Sequence, residues 1–332
     1  MDTTGKRLGR LLFAVVGALV GVAAGFVAFL VVPAGSFARL VGVALTVGLA
    51  VAAARLARGI ASSWFAPYNA AEVAVEGPIT RDGGGGGIPP RPGGLPADAV
   101  VEQVESADAD PNVEALIVRL NTPGGEVVPS DDIRNAVADF DGPTAAYATD
   151  TCASGGYWIA SGCDRIVARD ASIVGSIGVI GSTVNASDLA DELGISYERF
   201  AAGKFKDAGV PLKQMSDDDR DYLQGIVDDY YDSFVERVAD GRDLDPAAIR
   251  DTEARVYLGE EALDLGLVDE LGTRDAVDDY LAGEIGDAVE TEEFAPSRGM
   301  LGRLRGGATA VAYAAGAGAA SVVAGDDEFR LR

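Results

Sequence analysis

The sequence predicts an α/β layered domain behind an N-terminal membrane hairpin. From about residue 98, apolar runs of strand length alternate with stretches of helical period. Residues 11–32 are apolar without a break, and residues 37–54 form a second apolar run. Glycine-marked turns stand where several strands should end.

As a helix, residues 11–32 reach about 33 Å, enough for a hydrocarbon core of about 30 Å. Neither apolar run has a polar face, which disfavours a buried soluble helix, and a second run after the first disfavours a cleaved signal peptide. Pro33-Ala34-Gly35-Ser36 reads as the turn between them. Lys6, Arg7 and Arg10 precede the first run, and Arg55 and Arg58 follow the second, so the charge rule places both flanks in the cytoplasm. If only one run spans, the remainder lies outside.

Residues 72–80 alternate as a strand, and residues 81–96 are a Gly/Pro-rich flexible loop. Then come a helix at 98–107, a buried parallel strand at 114–120, a helix at 129–140 and a strand at 144–149. A helix at 154–162 and a strand at 165–168 follow. Residues 216–240 read as a long amphipathic helix with Ser216 as N-cap and acids in the first turn. Leu223, Ile226, Val227, Tyr230, Phe234 and Val238 share one face of it, suited to core or subunit contact. The Ala/Gly stretch 307–324 reads as a surface helix or tail rather than a third span.

Composition narrows the chemistry. The 332 residues contain no histidine, which excludes Ser-His-Asp and Cys-His catalysis, histidine zinc sites and a histidine base. Lys+Arg number 27 against 52 Asp+Glu, a net charge of −25 that argues against a nucleic-acid partner. Only four of the basic residues are lysines (Lys6, Lys204, Lys206, Lys213). Abundant carboxylates, scarce lysine and many small residues suit a protein of high salt, a halophile's, in which the acidity serves hydration. Two cysteines make no disulfide framework, and Cys152 reads as a small buried residue.

Three turns carry candidate chemistry. Pro123-Gly124-Gly125 follows the buried strand, and paired glycines there can turn backbone N–H groups toward an oxyanion. Ser154-Gly155-Gly156 falls at a strand-to-helix turn, where a hydroxyl can be exposed beside free amides; the serine serves as well for an ordinary helix N-cap. Gly175-Ser176-Ile177-Gly178 is a third tight turn. Lys204 and Lys206 lie close together further on, either as surface lysines or as a retained base, since only lysine can deprotonate usefully where arginine cannot.

The ordered set resembles a known family. It runs Pro123-Gly124-Gly125, Ala153-Ser154-Gly155-Gly156-Tyr157, Gly175-Ser176-Ile177-Gly178-Val179, then Lys206-Asp207. Phe234-Val235, Gly241-Arg242, Val256-Tyr257-Leu258-Gly259 and Gly266-Leu267-Val268-Asp269-Glu270-Leu271-Gly272 complete it. It resembles the SppA-type signal peptide peptidases of family S49, serine endopeptidases with the Clp-protease/crotonase fold, over about residues 72–285. The resemblance implies Ser154 as nucleophile, Lys206 as general base with Lys204 its rival, the amides of Gly125 and Gly155 as oxyanion hole, and Ser176 in support of the lysine. A lysine acts as base near neutral pH only where an apolar site lowers its pKa from about 10.4 to about 7–8.

The expected organisation is an anchor at 1–60, a peptidase domain at 72–285 and a C-terminal tail at 286–332. No cofactor or metal is implied. The expected partners are hydrophobic peptides such as signal-peptide remnants, membrane lipid and further copies of the chain. The resemblance favours small or apolar side chains at the cleavage site. A same-fold protease for one membrane-protein partner, a crotonase-like acyl-CoA enzyme and an inactive membrane scaffold are the alternatives. The expected location is the cell membrane. The hairpin puts the domain in the cytoplasm, whereas the family more often works outside. Asn185-Ala186-Ser187 would accept a glycan in the latter case.

Overall fold

The computed structural model describes residues 3–31, 36–83 and 96–295. The turn at 33–35, most of the Gly/Pro-rich loop and the stretch 307–324 lie outside the described residues.

Two long helices, α1 (Thr3–Phe26) and α2 (Ser36–Trp64), pack against each other along their lengths, with a π-helical turn at Val27–Val31 after the first. Leu11–Phe29 and Gly42–Ala61 are long and apolar enough to cross a membrane, with mean hydropathies of 2.5 and 1.6. Their contact is made by small residues. A Cβ on Gly21 would lie 2.7 Å from the Ala50 Cα, one on Gly17 2.4 Å from the Ala57 Cβ, and one on Gly25 2.9 Å from the Thr46 Cα. Glycine every fourth residue thus lets the two backbones close, the arrangement by which helices associate when apolar burial offers no drive.

The rest is a layered α/β domain. Its elements in order are β1 (Ala70–Glu76), α3 (Ala97–Asp108), β2 (Ala115–Thr122), α4 (Val127–Ala138), β3 (Thr144–Ala153) and α5 (Gly155–Ala160). Next come β4 (Arg165–Ala168), β5 (Ile173–Gly175), α6 (Ser187–Glu192), α7 (Asp217–Arg242) and α8 (Pro246–Arg250). The chain continues through β6 (Val256–Leu258), α9 (Gly259–Asp264), β7 (Glu270–Leu271), α10 (Arg274–Ile285) and β8 (Thr291–Glu293). The sheet runs β6-β5-β3-β2-β1-β8, and β4 also pairs with β3 and with β7. The pairings are parallel except β5 with β6.

Strand β3 organises this sheet. Its first half, Ala145–Ala148, pairs with β4, and its end, Thr151–Ala153, pairs with β5. Against β2, Leu120 faces Ala148 but Thr122 faces Cys152, so two steps on β2 match four on β3. The extra residues bend β3 outward just before Ser154.

Alternation along the strands sends side chains to two cores. One face carries Val73, Leu116, Val118 and Ala146 under α3, α4, α5 and α7; the other carries Ile117, Ala145 and Tyr147 under Val277 and Leu281 of α10. Close approach welds α7 to α5: a Cβ on Gly241 would sit 1.8 Å from the Ser161 carbonyl oxygen. The Tyr157 hydroxyl donates to the Leu267 carbonyl at 2.7 Å, and Arg242 pairs with Asp269 at 2.6 Å.

Two expectations need correction. The strand expected at 72–80 ends at Glu76, because Gly77 takes φ 73° and Pro78 follows; Ile79 and Thr80 make only single bridges. The domain does not stop at 285, since β8 extends the sheet to Glu293 beside β1. On α7, whose apolar face suited core or subunit contact, Phe234, Val235 and Val238 are buried while Tyr222, Ile226 and Tyr230 are exposed.

Glu72 ties three parts of the sheet together. It is 9% exposed, accepts from Arg119 Nε at 2.6 Å and pairs with Arg274, whose Nη2 donates to Thr291 Oγ1 at 2.7 Å. Glu72→Ala leaves two part-buried guanidinium groups short of a carboxylate and should lower unfolding free energy by about 3 kcal/mol. Glu292→Ala, at an exposed neighbour, should change it by less than about 0.5 kcal/mol, and urea unfolding in detergent measures both.

Candidate active site

The ends of β2 and β3 meet at four glycines. Gly124 has φ 88°, and a Cβ there would lie 2.4 Å from the Gly155 nitrogen. A Cβ on Gly125 would overlap the Ile79 carbonyl oxygen at 1.9 Å, one on Gly155 the Ser130 Oγ at 2.4 Å, and one on Gly156 the Thr122 Cγ2 at 2.7 Å. Only glycine allows this approach. It brings the Gly125 amide within 3.2 Å of where a Gly155 Cβ would be. Gly155 opens α5, so its N–H has no intrahelical acceptor. Among the described residues neither amide donates a hydrogen bond.

Ser154 is held between these amides in a strained conformation, φ 53° and ψ −121°. Its N–H donates to the Gly175 carbonyl at 2.9 Å and its carbonyl accepts from Trp158 N–H at 2.9 Å. It occupies the N-cap position of α5, but its side chain makes no capping hydrogen bond. The hydroxyl is therefore not engaged in the ordinary role of such a serine.

The strain is concentrated here. Among the described residues, five non-glycine residues have positive φ: Ser154, Ser176, Glu253, Ala254 and Asp243. The last is the left-handed cap of α7. The other four line one open cleft of about 560 Å3, with Gly178 to Ile180 and with Gln224, Val227, Asp228 and Tyr231 of α7. Each such conformation costs about 1–3 kcal/mol, and such costs gather at functional sites. Beside Ser154 a smaller recess of about 80 Å3 is walled by Val127, Trp158, Val179, Ile180 and Phe234.

The expected residues are not all brought together. Ser154, Gly125 and Gly155 border the recess, and Ser176 shares the cleft with Ser154; the Ser176 N–H donates to the Arg255 carbonyl at 2.8 Å. Lys206 is exposed on the turn after Gly203 and does not line the cleft. Its ammonium has no partner among the described residues, whereas Lys204 pairs with Asp218 at 2.6 Å and lies over the Phe205 ring. Lys213 is held between Asp219 at 2.7 Å and Asp207 at 3.1 Å, and the Asp219 carboxylate pushes its pKa up. Of these three lysines, only Lys206 presents a free amine.

Glu253 and Ala254 escape a reading of the residues, because they enter the cleft through backbone strain that no residue type announces. Ser130, packed beneath Gly155, escapes it too, because a serine inside a helix has no distinctive spacing.

Residues 138–285 match peptidase family S49. The chain is 35% identical over 199 residues to slr0021 of Synechocystis sp., a protein named as a putative protease, covering 58% of this chain and 72% of that one. A protein of Enterococcus faecium named as a putative signal peptide peptidase SppA is 35% identical over 181 residues, 53% of each chain. Protease 4 of Salmonella typhi is 31% identical over 188 residues, 55% of this chain and 30% of that protein. Among solved structures, a mutant ClpP1 from Listeria monocytogenes covers 62% of the chain with 14% identity and a TM-score of 0.42. A mutant of the 1510-N membrane-bound stomatin-specific protease covers 69% with 16% identity and a TM-score of 0.45. An α/β enzyme with such sequence relatives is a peptidase. It belongs to peptidase family S49, among the SppA-type members. The acyl-CoA alternative is thereby set aside.

Cys152 lies fully buried two residues before Ser154, and burial pushes its thiol pKa up to about 12. Cys163 is shifted upward by the same cause. In the native protein at pH 8, iodoacetamide should modify neither cysteine, and both should react after unfolding; mass spectrometry reads the difference.

Proposed function

We propose that the chain is a membrane-anchored serine endopeptidase with a Ser154–Lys206 dyad that degrades signal-peptide remnants and other hydrophobic peptides. The observation that carries this reading is the strained Ser154, with a hydroxyl that caps nothing, beside the unpartnered amides of Gly125 and Gly155. The lack of histidine leaves the base to another group, and Lys206 offers the free amine.

Neutral Lys206 takes the proton from Ser154 Oγ as that oxygen attacks the peptide carbonyl. The tetrahedral oxyanion is held by the Gly125 and Gly155 amides, while Ser176 orients the amine. The proton passes to the leaving amine, and water activated by the same lysine releases the acyl group. The recess beside Ser154 takes a small side chain of the substrate, because its volume is low; Val127, Trp158, Val179, Ile180 and Phe234 offer it apolar contact, beside Ser130 and the glycine turns.

Lys206 stands outside its own chain's cleft, so the dyad is completed between neighbouring copies. Ile180 and Phe200, about nine-tenths exposed or more, and the open face of α7 at Tyr222, Ile226 and Tyr230 supply apolar contact surface. Burial against a neighbour also provides the desolvation a lysine base requires.

Ser154→Ala and Lys206→Ala should each reduce hydrolysis of a hydrophobic peptide at least about 10³-fold with the fold intact by circular dichroism. Labelling by a fluorophosphonate probe should require Ser154. Coexpression of the two inactive variants should restore part of the activity. Full activity in Lys206→Ala refutes the dyad, and no recovery on coexpression refutes its assembly between copies.

The hairpin anchors the domain to the bilayer, supported by its two apolar helices and their small-residue contact. The full chain should stay with membranes through carbonate extraction, and deletion of residues 1–60 should release it. Proteolysis of intact cells then shows which side holds the domain.

A further inference from the structure

The turn that carries Lys206 is fixed on both sides of that residue to the start of α7. Phe205 stacks on Tyr222, ring centroids 4.6 Å apart and planes 16° apart. Asp207 is 5% exposed; it accepts from Lys213 Nζ at 3.1 Å and pairs with Arg199 at 2.5 Å. Lys213 Nζ also donates to Asp219 Oδ2 at 2.7 Å. Asp219, 2% exposed, belongs to the capping box of α7: its amide donates to Ser216 Oγ at 3.2 Å, and its carboxylate accepts from the Ser216 hydroxyl at 2.8 Å. Lys206 alone, between the two anchored neighbours, projects into solvent.

This is a costly way to hold a surface turn. Two buried carboxylates and an ammonium are desolvated, and such clusters add little net stability compared with apolar packing. What they do fix is geometry, since each charge has a single compatible arrangement. The body to which the turn is fixed also matters. The same half of α7 exposes Tyr222, Ile226 and Tyr230, the surface offered to the neighbouring copy whose Ser154 the Lys206 amine would serve.

Resting on the dyad reading above, we infer that Lys213, together with Asp207, Asp219 and the Phe205–Tyr222 stack, is a positioning device that sets the Lys206 amine relative to α7 for proton transfer. None of these side chains touches the reacting atoms. They act through Lys206, and their contribution falls on the chemical step rather than on substrate binding.

The test uses the full-length protein in detergent, with Lys213→Met, Lys213→Arg, Tyr222→Leu and Lys206→Ala assayed together on one hydrophobic peptide. Lys213→Met should lower kcat about tenfold or more with KM within about twofold, as expected when a base is displaced but the cleft is intact. Lys213→Arg, which keeps the charge between the two carboxylates, should recover most of kcat. Tyr222→Leu removes the stack while keeping an apolar side chain on the contact face of α7, and should lower kcat in the same selective way even if Lys213→Met fails to fold. Light scattering and circular dichroism confirm that assembly and fold are retained. Unchanged kcat in both Lys213→Met and Tyr222→Leu overturns the proposal. So does a loss that Lys213→Arg fails to recover, or one that tracks loss of assembly. If Lys206→Ala itself keeps full activity, the dyad has failed, a result distinct from an inactive Lys206→Ala beside a fully active Lys213→Met.

Discussion

The closeness of the ends of β2 and β3 governs the site. Gly124, Gly155 and Gly156 add no Cβ to that contact, and Gly125 adds none against Ile79, where the missing atom would have fallen 1.9 Å from the carbonyl oxygen. Among the described residues the Gly125 and Gly155 amides have no acceptor, and the backbone just before Gly155 takes a positive φ at Ser154. The uncapped, half-buried Ser154, the strained turn and the two open amides thus meet at a single packing contact. The bend that the extra residues of β3 impose just before Ser154 delivers the serine there.

A second level of organisation comes from α7. Its C-terminal part is locked to α5 through Gly241, and its last turn reaches Asp269 through Arg242. Its N-terminal part is capped by Ser216 and loaded with Asp217, Asp218 and Asp219, which the helix dipole favours. One helix therefore runs from the core beneath Ser154 to the turn that bears Lys206. Along its middle Tyr222, Ile226 and Tyr230 are exposed among Asp221, Asp228 and Asp229.

Much of this could be read from the residues. The α/β rhythm, the buried strand at 115–122, β4 at 165–168 and the Ser216 cap follow from local periodicity and capping chemistry, which a sequence displays directly. The glycine turns and Ser154 were visible as motif residues, and the structure adds the contacts that require glycine there. Features set by long-range packing were not visible. β8 pairs with β1 across more than two hundred residues, and nothing in Thr291–Glu293 marks it as a strand. The exposure of Tyr222, Ile226 and Tyr230 could not be told from burial, because an apolar helical face looks the same whether it meets its own core or another chain. Glu253 and Ala254 reach the cleft by backbone conformation alone.

The forked pairing of β3 has a mechanical consequence. Below the fork β3 is held by four-residue ladders to β4 and a longer one to β2, deep in the core. Beyond it, β5 and β6 are joined to the sheet by ladders of three residues. Short ladders at an edge open at lower free energy than central ones. The molecule is thus divided into a stiff frame and a compliant rim, and the strained Ser176, Glu253 and Ala254 belong to the rim.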